Sequence, residues 1–143
     1  MNPRDRGRQA MFFGELSDYR KRLGLSKAAL AEILGVTIPS LYRWEGWGPL
    51  SRLNNRNAEA VDLFMFAAYD ALQEFPGFAE KFATLGHASQ RIAMTQEVVL
   101  EAIKSGVIDA WDFGFLGIFL ERSRITEYRE KILNAMQDLQ NQA

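Results

Sequence analysis

The sequence predicts an all-α protein with a head of short helices over residues 1–57, a long linking helix over 58–75 and a small helical C-terminal domain over 76–143. Three observations carry that prediction. Apolar residues recur three and four apart through most of the chain, the repeat of a single helix face. Ser26, Thr37 and Thr95 stand ahead of such runs as N-caps, and Gly35, Pro76-Gly77 and Gly106 close them. The charge also changes sign along the chain. Residues 1–56 hold ten Lys and Arg against five acids, whereas residues 57–143 hold seven against thirteen. That division suits a head that meets a polyanion and a body with another task.

Residues 2–9 alternate Arg with Asp, Gly and Gln, which fits either a solvated tail or a basic arm that follows phosphates beside the head. Over 12–23, Phe12, Phe13, Leu16, Tyr19 and Leu23 form one apolar helix face. Arg20, Lys21 and Arg22 lie at its C-terminal end, where cations complement the helix dipole. Ser26 then caps a second helix with Leu30, Ile33 and Leu34 inward, and Gly35 ends it in a left-handed conformation. Thr37 restarts the chain. Pro39 falls in the first turn of the third helix, where a missing N–H costs nothing. Leu41 and Trp44 point inward, leaving Ile38, Pro39, Ser40, Tyr42 and Arg43 on the outer side. A short helix supported from below and presenting Ser, Tyr and Arg suits a DNA groove.

This stretch resembles the helix-turn-helix of the Cro/phage-repressor (XRE-type) family, from about Gly14 to Glu45. The resemblance rests on Arg20-x-x-Leu23-Gly24-Leu25-Ser26, the Leu30-Ala31 pair, Gly35-Val36-Thr37 and the closing Trp44-Glu45. It implies that Arg20 pairs with Glu45, tying the first helix to the end of the recognition helix. It implies phosphate contacts from Lys27, Thr37 and Ser40, and base contacts from Ile38, Pro39, Tyr42 and Arg43. Lysine at position 27 departs from the family's usual glutamine but keeps a point charge for a phosphate. Arg43 is the strongest candidate for specificity, since guanidinium bonds bidentately to a guanine edge. Further phosphate contacts are expected after the recognition helix, from Arg52, Asn54, Asn55 and Arg56, although Asn54 and Asn57 serve equally well as caps. Trp47 is expected to pack against the head, with stacking on the nucleic acid as its alternative.

From Ala58 to Phe75 the chain departs from the family. It reads as one helix of roughly five turns, ended by Pro76-Gly77 and apolar almost all round. Such a helix must be covered on several sides. Residues 78–85 suggest a short helix, and His87 a loop position. Thr95 caps a helix to about Lys104, with Val98, Val99, Ala102 and Ile103 inward. Residues 107–120 alternate Phe113-Gly-Phe115, compatible with a strand; a helix capped by Asp112 is preferred, with Gly114 and Gly117 allowing close packing. Thr126 begins the last helix, in which Ile125, Tyr128, Ile132, Met136 and Leu139 form a 3-4-4-3 seam. The seam is either core-facing or a dimer contact.

There is no cysteine and one histidine, so no thiolate or His-rich metal site, no disulfide and no cysteine nucleophile are available. The carboxylates Asp109, Asp112, Glu121, Glu127 and Glu130 stand without the groups that catalysis requires. No enzyme activity, cofactor, metal or small-molecule ligand is therefore expected. The N-terminus lacks an apolar signal segment and no run reaches the ~20 apolar residues of a membrane span, so a cytoplasmic location in a bacterial cell is expected.

The expected function is sequence-specific binding of double-stranded DNA and repression by operator occupancy. The body is then a dimerisation domain or a second DNA contact through Arg122, Arg124, Arg129 and Lys131, the protein binding as a homodimer or as a monomer on a bipartite site. The layout is similar to immunity repressors of temperate actinobacteriophages. An antitoxin-like regulator, whose C-terminal domain binds a partner protein, is the alternative.

Overall fold

The computed structural model describes residues 15–46 and 55–142. Among these residues are eight α-helices and a small three-stranded antiparallel sheet. The protein is mostly helical, and the sheet corrects the all-α expectation. Two compact units are formed. The first contains the described residues up to Ala79 together with Phe113–Gly117; the second contains Glu80–Asp112 and Ile118 onward.

The first unit is built on four helices: α1 (Glu15–Arg22), α2 (Lys27–Leu34), α3 (Ile38–Gly46) and α4 (Asn55–Glu74). Residues 12–14 of the expected first helix lie outside the described residues. Ser26 caps α2 by accepting the Ala29 N–H at 3.0 Å. Gly35 closes α2 at φ +70°, a conformation that would strain any side chain. Thr37 accepts the Ser40 N–H at 3.2 Å, so α3 begins one short turn later.

The core beneath these caps takes Leu16 and Leu23 from α1 and the α1–α2 turn, Leu30 and Leu34 from α2, and Leu41 and Trp44 from α3. The expected linking helix is α4, and it packs on α1 and α2 within this unit. Ala58, Val61, Phe64, Met65 and Ala68 are each at most 1% exposed. That packing accounts for one face of the apolar run, while Leu63, Phe66 and Tyr69 on the same helix stay 53%, 37% and 39% exposed, so the expected cover on several sides is present only in part. The short returning segment covers α4 further: Gly114–Leu116 forms a 3-10 turn against it, and Leu116 is buried. The Phe113 ring meets Phe75 and Phe78 edge-on, with centroids 6.0 and 5.0 Å apart.

In the second unit α5 (Phe78–Lys81), which begins in the first, leads into β1 (Phe82–Thr84). Then come α6 (Leu85–Ile92), α7 (Gln96–Lys104), β2 (Trp111–Asp112), β3 (Ile118–Glu121) and α8 (Ile125–Asn141). The sheet order is β1-β3-β2, with Ala83 opposite Leu120, Thr84 opposite Phe119 and Asp112 opposite Ile118. Ala83 and Leu120 from the sheet share one core with Ala88 and Ile92 of α6, Val99 and Ala102 of α7, and Ile125, Tyr128 and Ile132 of α8.

Several local expectations are corrected here. Residues 112–120 are not a helix. Gly114 and Gly117 take φ of +62° and +96°, which breaks a right-handed helix, and the Phe113 N–H bonds the Gly117 carbonyl at 3.0 Å. Asp112 is therefore a strand residue rather than a cap. The expected helix over 78–85 stops at Lys81, because Phe82 and Ala83 pair with β3.

His87 lies on α6, not in a loop. Thr84 caps that helix by accepting the His87 N–H at 3.1 Å. The Thr95 cap and its helix are present, with the Val98 N–H donating to the Thr95 hydroxyl at 3.2 Å. The last helix begins at Ile125, one residue before the expected Thr126, and is entered through a 3-10 turn at Arg122–Arg124. Its seam divides: Ile125, Tyr128 and Ile132 are buried, whereas Met136 and Leu139 are 45% and 69% exposed. Among the described residues, no helix is long and apolar enough to cross a membrane.

Candidate nucleic-acid interface

The exposed side of α3 is set by what its other side must bury. Leu41 is fully buried and Trp44 nearly so, which turns Ile38, Pro39, Tyr42 and Arg43 outward. Tyr42 is 56% exposed and Ile38 41%. Both are large apolar surfaces left in water, one helical turn apart on α3. Ser40, half-buried beside them, receives two hydrogen bonds. The Thr37 hydroxyl donates to Ser40 Oγ at 2.9 Å, and an Arg43 guanidinium nitrogen does so at 3.2 Å. The Arg43 fork is thereby steadied along the outer face of the helix.

The helix is tied down at its other end. Arg20 Nε donates to Glu45 Oε1 at 2.7 Å, and the same guanidinium donates to the Leu25 carbonyl at 2.9 Å. Their side chains are 10% and 4% exposed, so the pair is shielded from solvent. One cation thus joins α1, the turn into α2 and the last turn of α3.

Lys27, in the first turn of α2, is half-buried. Its ammonium sits 3.7 Å from the centroid of the Tyr42 ring and 3.7 Å from Glu45 Oε2. That contact joins two residues assigned separately from sequence, one to phosphate and the other to bases. Their separation in the chain matches no helical repeat, so only the α2–α3 crossing reveals it.

Of the remaining expected phosphate contacts, Arg56 is exposed at the start of α4. Arg52 and Asn54 lie outside the described residues, as do the N-terminal arm, Trp47 and the side chain of Asn55.

The second unit places its basic residues differently. Arg124 donates to Glu127 at 2.7 Å and to Asp109 at 3.2 Å, and lies over the Tyr128 ring. Arg129 Nε donates to the Ile92 carbonyl at 3.1 Å, and Lys131 lies 3.7 Å from Glu127. Arg122 is half-buried in the 3-10 turn before α8 and also has an interaction partner. Three of the four candidates thus have named partners within their own unit.

The hydrogen bond from Arg124 holds the Glu127 carboxyl below its ordinary value and, reciprocally, raises the Arg124 guanidinium. Burial pushes the Tyr128 phenol up. Among the described residues, no group of three or more His, Asp or Glu side chains is placed to hold a metal ion.

Compared with family models, curated proteins and solved structures, the chain matches none.

Proposed function

We propose that this protein is a sequence-specific, double-stranded-DNA-binding transcriptional repressor of the phage or prophage immunity type, acting in the bacterial cytoplasm by occupying an operator. The observation that carries the reading is α3: a short helix anchored from below by Leu41, Trp44 and the Arg20–Glu45 pair, with Ile38, Pro39, Tyr42 and Arg43 outward. An element fixed this firmly beneath so exposed an apolar and basic face suits insertion into a major groove. In this reading Arg43 reads a guanine edge, Tyr42, Ile38 and Pro39 line the groove, and Thr37, Ser40 and Lys27 meet phosphates.

The body serves assembly. Met136 and Leu139 leave the outer part of the α8 seam exposed, which suits a homodimer contact. Two heads then read a two-fold site.

Equilibrium binding of the parent protein to duplex DNA over a salt series tests the reading. Binding whose log K falls linearly with log salt is the expected result; absence of duplex binding at low salt contradicts it.

A further inference from the structure

Glu45 has one carboxylate oxygen satisfied and one not. Oε1 accepts from Arg20 at 2.7 Å, whereas Oε2 is buried without a hydrogen-bond donor. Lys27 pairs with it electrostatically at 3.7 Å, beyond the reach of a hydrogen bond. A flexible lysine beside a buried carboxylate oxygen in need of a donor ordinarily closes the gap, since an unmade bond there is costly. Here the ammonium rests instead over the Tyr42 ring, 3.7 Å from its centroid. The ring's negative face holds a cation without consuming its N–H donors.

We infer that Tyr42 is a positioning residue for Lys27: its ring keeps the ammonium off Glu45 and presented at the surface, free to donate to a DNA phosphate. This rests on the DNA-binding reading above and deepens it. Lys27 remains 32% exposed in this seat, so its charge is available to a ligand. Were the ring absent, Lys27 would collapse on to Oε2 and its charge would be neutralised by Glu45. The chemistry required of Tyr42 is that of an aromatic face. Its hydroxyl has no part in it.

The test compares the parent, Tyr42→Phe, Tyr42→Ala, Lys27→Met and the Tyr42→Ala/Lys27→Met double variant on a mixed-sequence duplex without an operator. Only phosphate contacts contribute there. Tyr42→Phe should bind within twofold of the parent. Tyr42→Ala should lose about two- to fivefold, the worth of an exposed cation–π contact, with a shallower salt dependence. The double variant should be no weaker than Lys27→Met. In the free protein, the Lys27 Hε protons should be shifted upfield by the ring current in the parent and in Tyr42→Phe, and return to ordinary values in Tyr42→Ala.

Equal losses in Tyr42→Phe and Tyr42→Ala would overturn the inference in favour of the hydroxyl. Multiplying losses in the double variant would overturn it in favour of independent contacts. An unshifted Lys27 in the parent would overturn the seat itself. A parent that binds no duplex overturns the DNA-binding reading and the phosphate role together, and the Lys27 resonances tell that failure from a failure of the seat.

Discussion

Arg20 and Glu45 meet at 2.7 Å across 25 positions of sequence, with Glu45 almost wholly buried. The pair joins α1 to the last turn of α3, so its loss should be felt as stability of the head. Removing one partner of a buried pair strands the other, at about 3–5 kcal/mol. Arg20→Ala should fall near the low end of that range, because Lys27 stays within reach of Glu45. Chemical denaturation followed by tryptophan fluorescence measures the change. A loss below about 1 kcal/mol, the range of exposed pairs, would contradict the buried assignment.

Gly24 and Gly35 should respond differently to alanine. Both have positive φ, +72° and +70°. A Cβ at Gly35 meets nothing within 4 Å, so Gly35→Ala carries only the left-handed strain of about 1–2 kcal/mol. A Cβ at Gly24 would lie 3.0 Å from the Ala79 Cβ, and strain and crowding add there. Thermal unfolding should therefore rank Gly24→Ala as the more damaging. The reverse order would contradict the turn geometry.

Much of the first unit was legible in the sequence because its signals are local. Ser26, Gly35 and Thr37 punctuate α2 and α3 where their side chains or φ angles dictate. The spacing of Leu41 and Trp44 turns the outer face outward. The role of α4 was not legible, because an apolar run does not say which of its faces is covered or by what: Val61, Phe64 and Met65 are buried, whereas Leu63, Phe66 and Tyr69 are exposed. The sheet was missed for a related reason. Its strands are two to four residues long, too short for alternation to register, and Phe82–Thr84 gains its conformation only by pairing with Phe119–Glu121. The Lys27–Tyr42 contact belongs to the same class of long-range facts.

Tyr128 gives the second unit an alkaline limit. Burial raises its phenol above the ordinary value, so the neutral form is the one the fold prefers. Its contribution is fully present below the unfolded value near about 10 and is lost as pH rises through the folded one. A pH series of unfolding should show stability declining above about pH 10, with the decline reduced in Tyr128→Phe. An unchanged decline in that variant would assign the effect elsewhere.

Glu127 should behave in the opposite sense. Hydrogen bonding from Arg124 lowers its carboxyl value, so the stabilisation is present above the unfolded carboxylate range and fades as pH falls through the folded value. Carboxyl titration by NMR should find Glu127 below the ordinary range, and Arg124→Gln should return it upward. A Glu127 midpoint indifferent to Arg124→Gln would show that the ion pair does not form in solution.

The proposed reading of DNA sequence by the exposed face of α3 is tested most directly by selection of bound duplexes from a random pool by the parent and by Arg43→Ala. The parent should enrich a defined site. Arg43→Ala should bind that site about 1–3 kcal/mol more weakly, with one base position relaxed. No enriched site, or an Arg43→Ala variant that selects the same sequence with undiminished affinity, would contradict it.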